Sequence, residues 1–222
     1  MPVIWVNSQD IWYKYTMPQQ NRIQSTILPA TGLALGMAFS IAATGAAMGQ
    51  DAQTLTTYDV VAPPPCTNDK GETVRFVDSG TGRPGLAAGM AARDGSGKPV
   101  VFRSNYTATP PEFQSFIDRH ECAHHQTGDV DRPHPPRNGP EHLMNESISD
   151  CVAILRLRDE DGYDDAAFNR VAAAMRNDMA KFGFPEISIS SRISNIDNCF
   201  SKYGAPQDFV NGILEQRGLR QP

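Results

Sequence analysis

Positive charge is in short supply in this chain: 20 Lys and Arg stand against 25 Asp and Glu, a formal net charge of −5. Without a basic surplus there is no electrostatic footprint for a phosphate backbone, so nucleic acid is not an expected partner. Cysteine is scarce too. The four, Cys66, Cys122, Cys151 and Cys199, include no C-x-x-C pair. That spacing excludes a structural zinc knuckle and a thioredoxin-like redox site. Internal repeats are missing, which excludes solenoids and propellers. Low-complexity tracts are missing as well. At 222 residues and 40% hydrophobic content, the chain suits one domain with its own core.

Charge is absent altogether from residues 27 to 48, which are rich in Ala, Leu, Gly and Ile. Arg22 precedes this run, and Ala46-Ala47-Met48-Gly49 supplies small residues after it. That order is the n-region, h-region and cleavage site of a secretory signal peptide, with cleavage expected between Ala46 and Gln50. Trp5, Trp12, Tyr13 and Tyr15 do not suit an n-region, which makes Met17 the expected start. Residues 1–49 are therefore an N-terminal extension and signal peptide, and 50–222 the functional domain. The expected location is the periplasm or outside the cell, with the membrane met only through the signal segment. The alternative is an uncleaved anchor through 27–48, long enough to span a bilayer. Export also suits an even number of cysteines forming disulfides.

In the remaining chain, short strands come first. Thr73-Val74-Arg75-Phe76-Val77 alternates between Gly71 and Gly80. Gly85 to Ala92 is a weaker candidate. Lys98 to Ser104 follows the turn Asp94-Gly95-Ser96-Gly97. A small antiparallel sheet is expected. Helices follow. Thr109-Pro110-Pro111-Glu112 reads as a capping box with prolines in the first turn. Phe113, Phe116 and Ile117 then mark one face, and His120 and His124 continue it. A second helix starts at Pro140, a third spans about Asp164 to Phe182, a fourth about Ser191 to Tyr203, and a short one about Pro206 to Gln216.

The chemistry is concentrated in His120-Glu121-Cys122-Ala123-His124, an H-E-x-x-H run. Residues four apart on a helix share a face, so both imidazoles reach one ion, and zinc accepts neutral imidazole nitrogen at about 2.0–2.1 Å. Glu121, about 100° round the helix, is placed to act on a water at the metal as general base. A third ligand is needed. The spacing H-E-x-x-H-x-x-G-x-x-H fails, because Thr127 and Val130 occupy the glycine and histidine positions. His134 lies in a proline-rich loop and His142 in the first turn of the second helix. Glu146 is the best supported, one helical turn before Asp150. Asp150 suits the outer carboxylate that orients a metal-bound histidine.

Asn145-Glu146-Ser147-Ile148-Ser149-Asp150 after H-E-x-x-H resembles the gluzincins, the thermolysin-like zinc peptidases. The likeness covers about His120 to Asp150. It implies an α+β, zincin-like fold: a small antiparallel sheet, the active-site helix, then a helical C-terminal half. It also implies one zinc ion on His120, His124 and Glu146, Glu121 as general base and proton shuttle, and Asp150 as the orienting group. The expected activity is hydrolysis of a peptide or protein substrate by an exported metallopeptidase. Substrate backbone would add to an edge strand, for which Val100 to Ser104 is the candidate. The alternatives are a non-catalytic zinc-binding envelope protein and a zinc hydrolase of cell-wall amide bonds. Cys122 and Cys151 belong to the two helices that share the site. A bridge between them would clamp it and leave Cys66 to pair with Cys199.

Overall fold

A computed structural model describes residues 57–219 apart from 81, 83, 84, 137 and 138. The signal segment, its alternative as a membrane anchor, the cleavage site and the start at Met17 all lie outside the described residues. Three strands, β1 (Arg75–Asp78), β2 (Ala88–Arg93) and β3 (Pro99–Ser104), are followed by five α-helices. These are α1 (Pro111–Gln126), α2 (Pro140–Asp159), α3 (Asp165–Lys181), α4 (Glu186–Lys202) and α5 (Pro206–Gln216). The architecture is α+β and mostly helical. Among the described residues no helix is long and apolar enough to cross a membrane.

The sheet is mixed, not antiparallel as expected. Strand order is β1-β3-β2. The β2–β3 hairpin is antiparallel, and its turn is fixed by Asp94. That carboxylate accepts from the Ser96 amide and hydroxyl and from the Lys98 amide, while Gly97 takes a left-handed φ of 80°. β1 reaches β3 from the other side and runs parallel to it. The expected edge, Val100 to Ser104, is therefore the central strand. Its Val100 and Val101 are fully buried, and β2 is the edge that faces α1.

The α1 start also differs from expectation. Thr109 does not cap it; the Phe113 and Gln114 amides bond the Pro110 carbonyl instead, and Pro111 occupies the first turn. The cap position falls on Pro110, which has no side-chain acceptor, so the Thr109 hydroxyl is one residue out of register with the helix. At α3 the reading holds, with the Asp164 side chain accepting from the Ala167 amide. α4 begins at Glu186, one turn earlier than expected, because Pro185 opens it.

α1 lies between the sheet and the helices. Phe113, Phe116 and Ile117 are buried in the main core with Ile154, Met175, Ile189 and Ile196. The opposite face bonds to the sheet. Asp118 accepts from the Tyr106 hydroxyl at 2.9 Å and pairs with Arg103 at 3.1 Å, and His125 Nε2 donates to the Val100 carbonyl at 3.0 Å. Burial pushes the Asp118 carboxyl up to about 7 despite Arg103.

The disulfides join Cys66 to Cys122 and Cys151 to Cys199, not Cys122 to Cys151. The reason is helical angle. Cys122 is two residues from either histidine, about 160° away from that line, and so faces the sheet. There it packs with Val74 and Val101, beside the segment that carries Cys66. Cys151 faces α4, where Cys199 waits.

Candidate metal centre

Two helices build the centre. α1 presents His120 and His124 on its α2-facing side, and α2 presents Glu146 between them. His120 Nε2 and His124 Nε2 are 3.2 Å apart. Glu146 places one carboxylate oxygen 3.3 Å from each nitrogen. His120, His124 and Glu146 are the one His/Cys/Asp/Glu group among the described residues whose donor atoms converge in this way, and their side chains are almost wholly buried. Donors around a tetrahedral ion at about 2.0–2.1 Å lie about 3.3–3.4 Å apart. The nitrogen–nitrogen separation matches that spacing, and so does the distance from each histidine to its nearer Glu146 oxygen, Oε2 for His120 and Oε1 for His124. Glu146 Oε2 is buried without a well-formed hydrogen bond, which also suits a carboxylate meant for a cation.

Each imidazole is held from behind. His120 Nδ1 is 2.9 Å from Asp150 Oδ1, and Asp150 takes two bonds from Arg192 on α4, at 2.7 and 2.8 Å. His124 Nδ1 is 3.0 Å from Asp129 Oδ2, with the Ser149 hydroxyl at 3.1 Å. Asp129 is fixed in turn by Arg217 and the Thr127 hydroxyl. With Nδ1 turned to a carboxylate, each Nε2 is the ring atom that faces the centre, and a metal ion there would take the place of its proton. Arg217 also reaches Asn145 at 2.7 Å, tying the chain's last helix region to the metal helix.

The charges tell the same story. Burial alone would depress the His120 imidazole, but Asp150 and Glu146 outweigh it and hold it at about 9. His124 is raised likewise, Glu146 and Asp129 overcoming burial. Burial would raise Glu146, yet the two imidazoles keep its carboxyl well below the usual range. The three side chains thus form a place that favours positive charge, whether proton or metal ion.

Glu121 is buried beside this group, and its Oε2 accepts from the Ala91 amide of β2 at 2.8 Å. It lies where two clefts meet. One is lined by Ala91, His124, His134, His142 and Glu146. The other, lined by apolar side chains, lies toward α3 and α4. His142 is buried, not the surface residue its position suggests, although it is not in the ligand group; His134 is exposed. His125 faces the sheet and takes no part.

The structure brings together every residue expected from the two motifs. It adds Asp129, Arg192 and Arg217, which sequence reasoning missed. Asp129 carried a faint signal: an acid directly after Gly128, where the end of α1 turns back toward His124. Arg192 and Arg217 carried none, since their partners are 42 and 88 residues away. No family model matches the chain, and neither the curated proteins nor the solved structures give a match.

Proposed function

We propose that this chain is an exported zinc metallopeptidase of gluzincin type with a zincin-like fold. The observation that carries the reading is the set of 3.2–3.3 Å separations among His120, His124 and Glu146, with Glu121 buried alongside. Two histidines and one carboxylate, each histidine backed by a carboxylate, suit zinc with one position left for water or substrate. Bound there, zinc would supply Lewis acidity, lowering the pKa of water toward about 7 and polarising a carbonyl. Glu121 takes the proton from the attacking water as the C–O bond forms, and then gives it to the amine nitrogen, so that the C–N bond breaks with a neutral amine leaving. Two disulfides support an oxidising, exported setting.

The edge strand supports a peptide substrate. Since the Ala91 amide points away from β3 to Glu121, the outward backbone groups of β2 recur at Gly89 and Arg93. An extended peptide laid along this edge crosses Glu121. The test is direct. The oxidised protein, loaded with one equivalent of zinc, is offered a quenched-fluorescence peptide library. Cleavage that a zinc chelator abolishes and added zinc restores is expected. Stoichiometric zinc with no cleavage of any peptide would leave the non-catalytic or cell-wall readings.

Gly89 supplies a second prediction. A side chain there would collide with Glu121 and come within 2.8 Å of Ile117 Cγ2. Gly89→Ala must displace Glu121 or the strand. A shift of about 1 Å at a catalytic group can cost about 100-fold. Gly89→Ala is expected to lower kcat/KM by about that factor with zinc content unchanged, as read by steady-state kinetics and metal analysis. An unchanged kcat/KM would show that the strand gives way without disturbing the base.

A further inference from the structure

The apolar cleft beside Glu121 is walled by Phe113, Phe116 and Ile117 of α1, Met175 and Met179 of α3, and Phe182. Besides Glu121 itself, one further acid, Asp178, interrupts that wall. Asp178 stands with Met175 and Met179 on one face of α3, at helical spacing. It is 5% exposed. Its Oδ1 is 3.5 Å from Nζ of Lys181, a side chain itself 46% exposed. Its Oδ2 is buried and makes no well-formed hydrogen bond; the buried Thr109 hydroxyl acts on the carboxylate but makes no well-formed bond either. Asp178 also borders the groove that continues along α3 past Thr109, Pro110 and Asn177. Burial pushes the Asp178 carboxyl up, against the pull of Lys181 and Thr109. Arg192, the cation at the rim of the cleft, is neutralised by its two-pronged pair with Asp150 and does not serve Asp178.

A wall of phenylalanines and methionines has no use for a buried carboxylate with a poorly served oxygen, because desolvating it is costly. A ligand with an apolar stem and a cationic tip resolves both halves of the site. Its methylenes lie on the phenylalanines and methionines, the latter adapting to the stem, and its charge meets Oδ2. We propose that Asp178 is a specificity-determining residue, selecting substrates with lysine or arginine next to the cleaved bond. The proposal rests on the peptidase reading only for the word substrate; the preference for a cationic side chain belongs to the cleft itself.

The test separates the two. Zinc-loaded full-length protein is assayed on paired peptides that differ only in lysine or norleucine beside the cleaved bond. In parallel, N-acetyl-lysine methylamide and N-acetyl-norleucine methylamide are titrated against it, with the methyl signals of Met175 and Met179 followed by NMR. The expected result is a lysine preference of about 10-fold or more in both measurements. In Asp178→Asn it falls to within about threefold of unity with zinc content unchanged. Equal treatment of the two compounds by the unaltered protein, or preference for norleucine, overturns the proposal and makes Asp178 a structural acid satisfied by water. That comparison needs no variant, so it decides even if Asp178→Asn fails to fold. If no peptide is cleaved but the lysine compound is preferred, the peptidase reading fails and the cleft assignment stands.

Discussion

Glu121→Gln is expected to lower peptide hydrolysis by about 100- to 10,000-fold, the usual contribution of a positioned general base, while zinc stays at one per chain. The substitution isolates proton transfer. Glutamine keeps the length and planarity of the side chain, and its carbonyl oxygen can accept from the Ala91 amide as Glu121 Oε2 does now, at 2.8 Å. The converging donor atoms of His120, His124 and Glu146, which could hold a metal ion, are untouched, and so are the carboxylates behind the histidines. What the amide cannot do at neutral pH is accept a proton and return it. The loss should therefore fall on kcat, with KM nearly unchanged, because ground-state contacts survive. Zinc by mass spectrometry, thermal melting and steady-state kinetics on one preparation decide the matter. Activity within tenfold of the unaltered protein, with zinc bound, would falsify the assignment of Glu121 as the base. A parallel loss of zinc would instead reveal that the residue holds the metal.

How far the sequence foretold this arrangement depends on the range of each interaction. His120, Glu121, His124, Glu146 and Asp150 were all legible, because each is placed by helical spacing within α1 or α2, and periodicity is local. The same logic, carried further, would have corrected the disulfides. The angle that turns Cys122 away from the histidines also turns it away from α2, since α2 is what the histidines face. Only the sheet side remains, and Cys66 is the cysteine on that side. The sheet was less legible. Strand positions follow from alternation and turn residues, but whether β1 lies parallel to β3 depends on where residues 79–87 carry the chain, and no local signal records that. The error over the edge strand has the same origin. Arg192 and Arg217 are harder still. Each sits on a helix whose own pattern explains only its packing, and each acquires its role when that helix docks against α1 and α2. Asp178 was hidden differently: in sequence it is one acid on an amphipathic helix, and its burial shows only once the cleft exists.

Glu146→Ala is the change expected to act most strongly on metal and stability together. Removing an outer partner of a metal-bound histidine typically costs 10- to 100-fold in affinity; removing a ligand itself should cost at least about 100-fold by the same scale. The structure gives reasons for a large effect. Glu146 is 3% exposed and supplies one oxygen to each histidine nitrogen at 3.3 Å, so no water from bulk solvent can replace both contacts in the same geometry. His134 and His142 are not placed to substitute, since neither joins the converging donor group, although both line the same cleft. The loss must also appear as stability, because an ion that binds only the folded chain stabilises it by mass action. At a free zinc concentration of about 100 times Kd that contribution is about 2.7 kcal/mol, which in a domain of this size corresponds to a rise in Tm of about 5–11 °C. The unaltered protein should show that rise when zinc is added, and Glu146→Ala should show none at the same zinc concentration. The metal-free forms need not melt together, because the variant loses a buried carboxylate that two imidazoles now hold ionised. The decisive quantity is thus the zinc-induced shift within each protein, not the difference between them. A full shift and stoichiometric zinc in Glu146→Ala would remove Glu146 from the ligand set and return His134 and His142 to contention. Loss of both, with Glu121→Gln keeping both, would divide the site into residues that hold the ion and a residue that moves the proton.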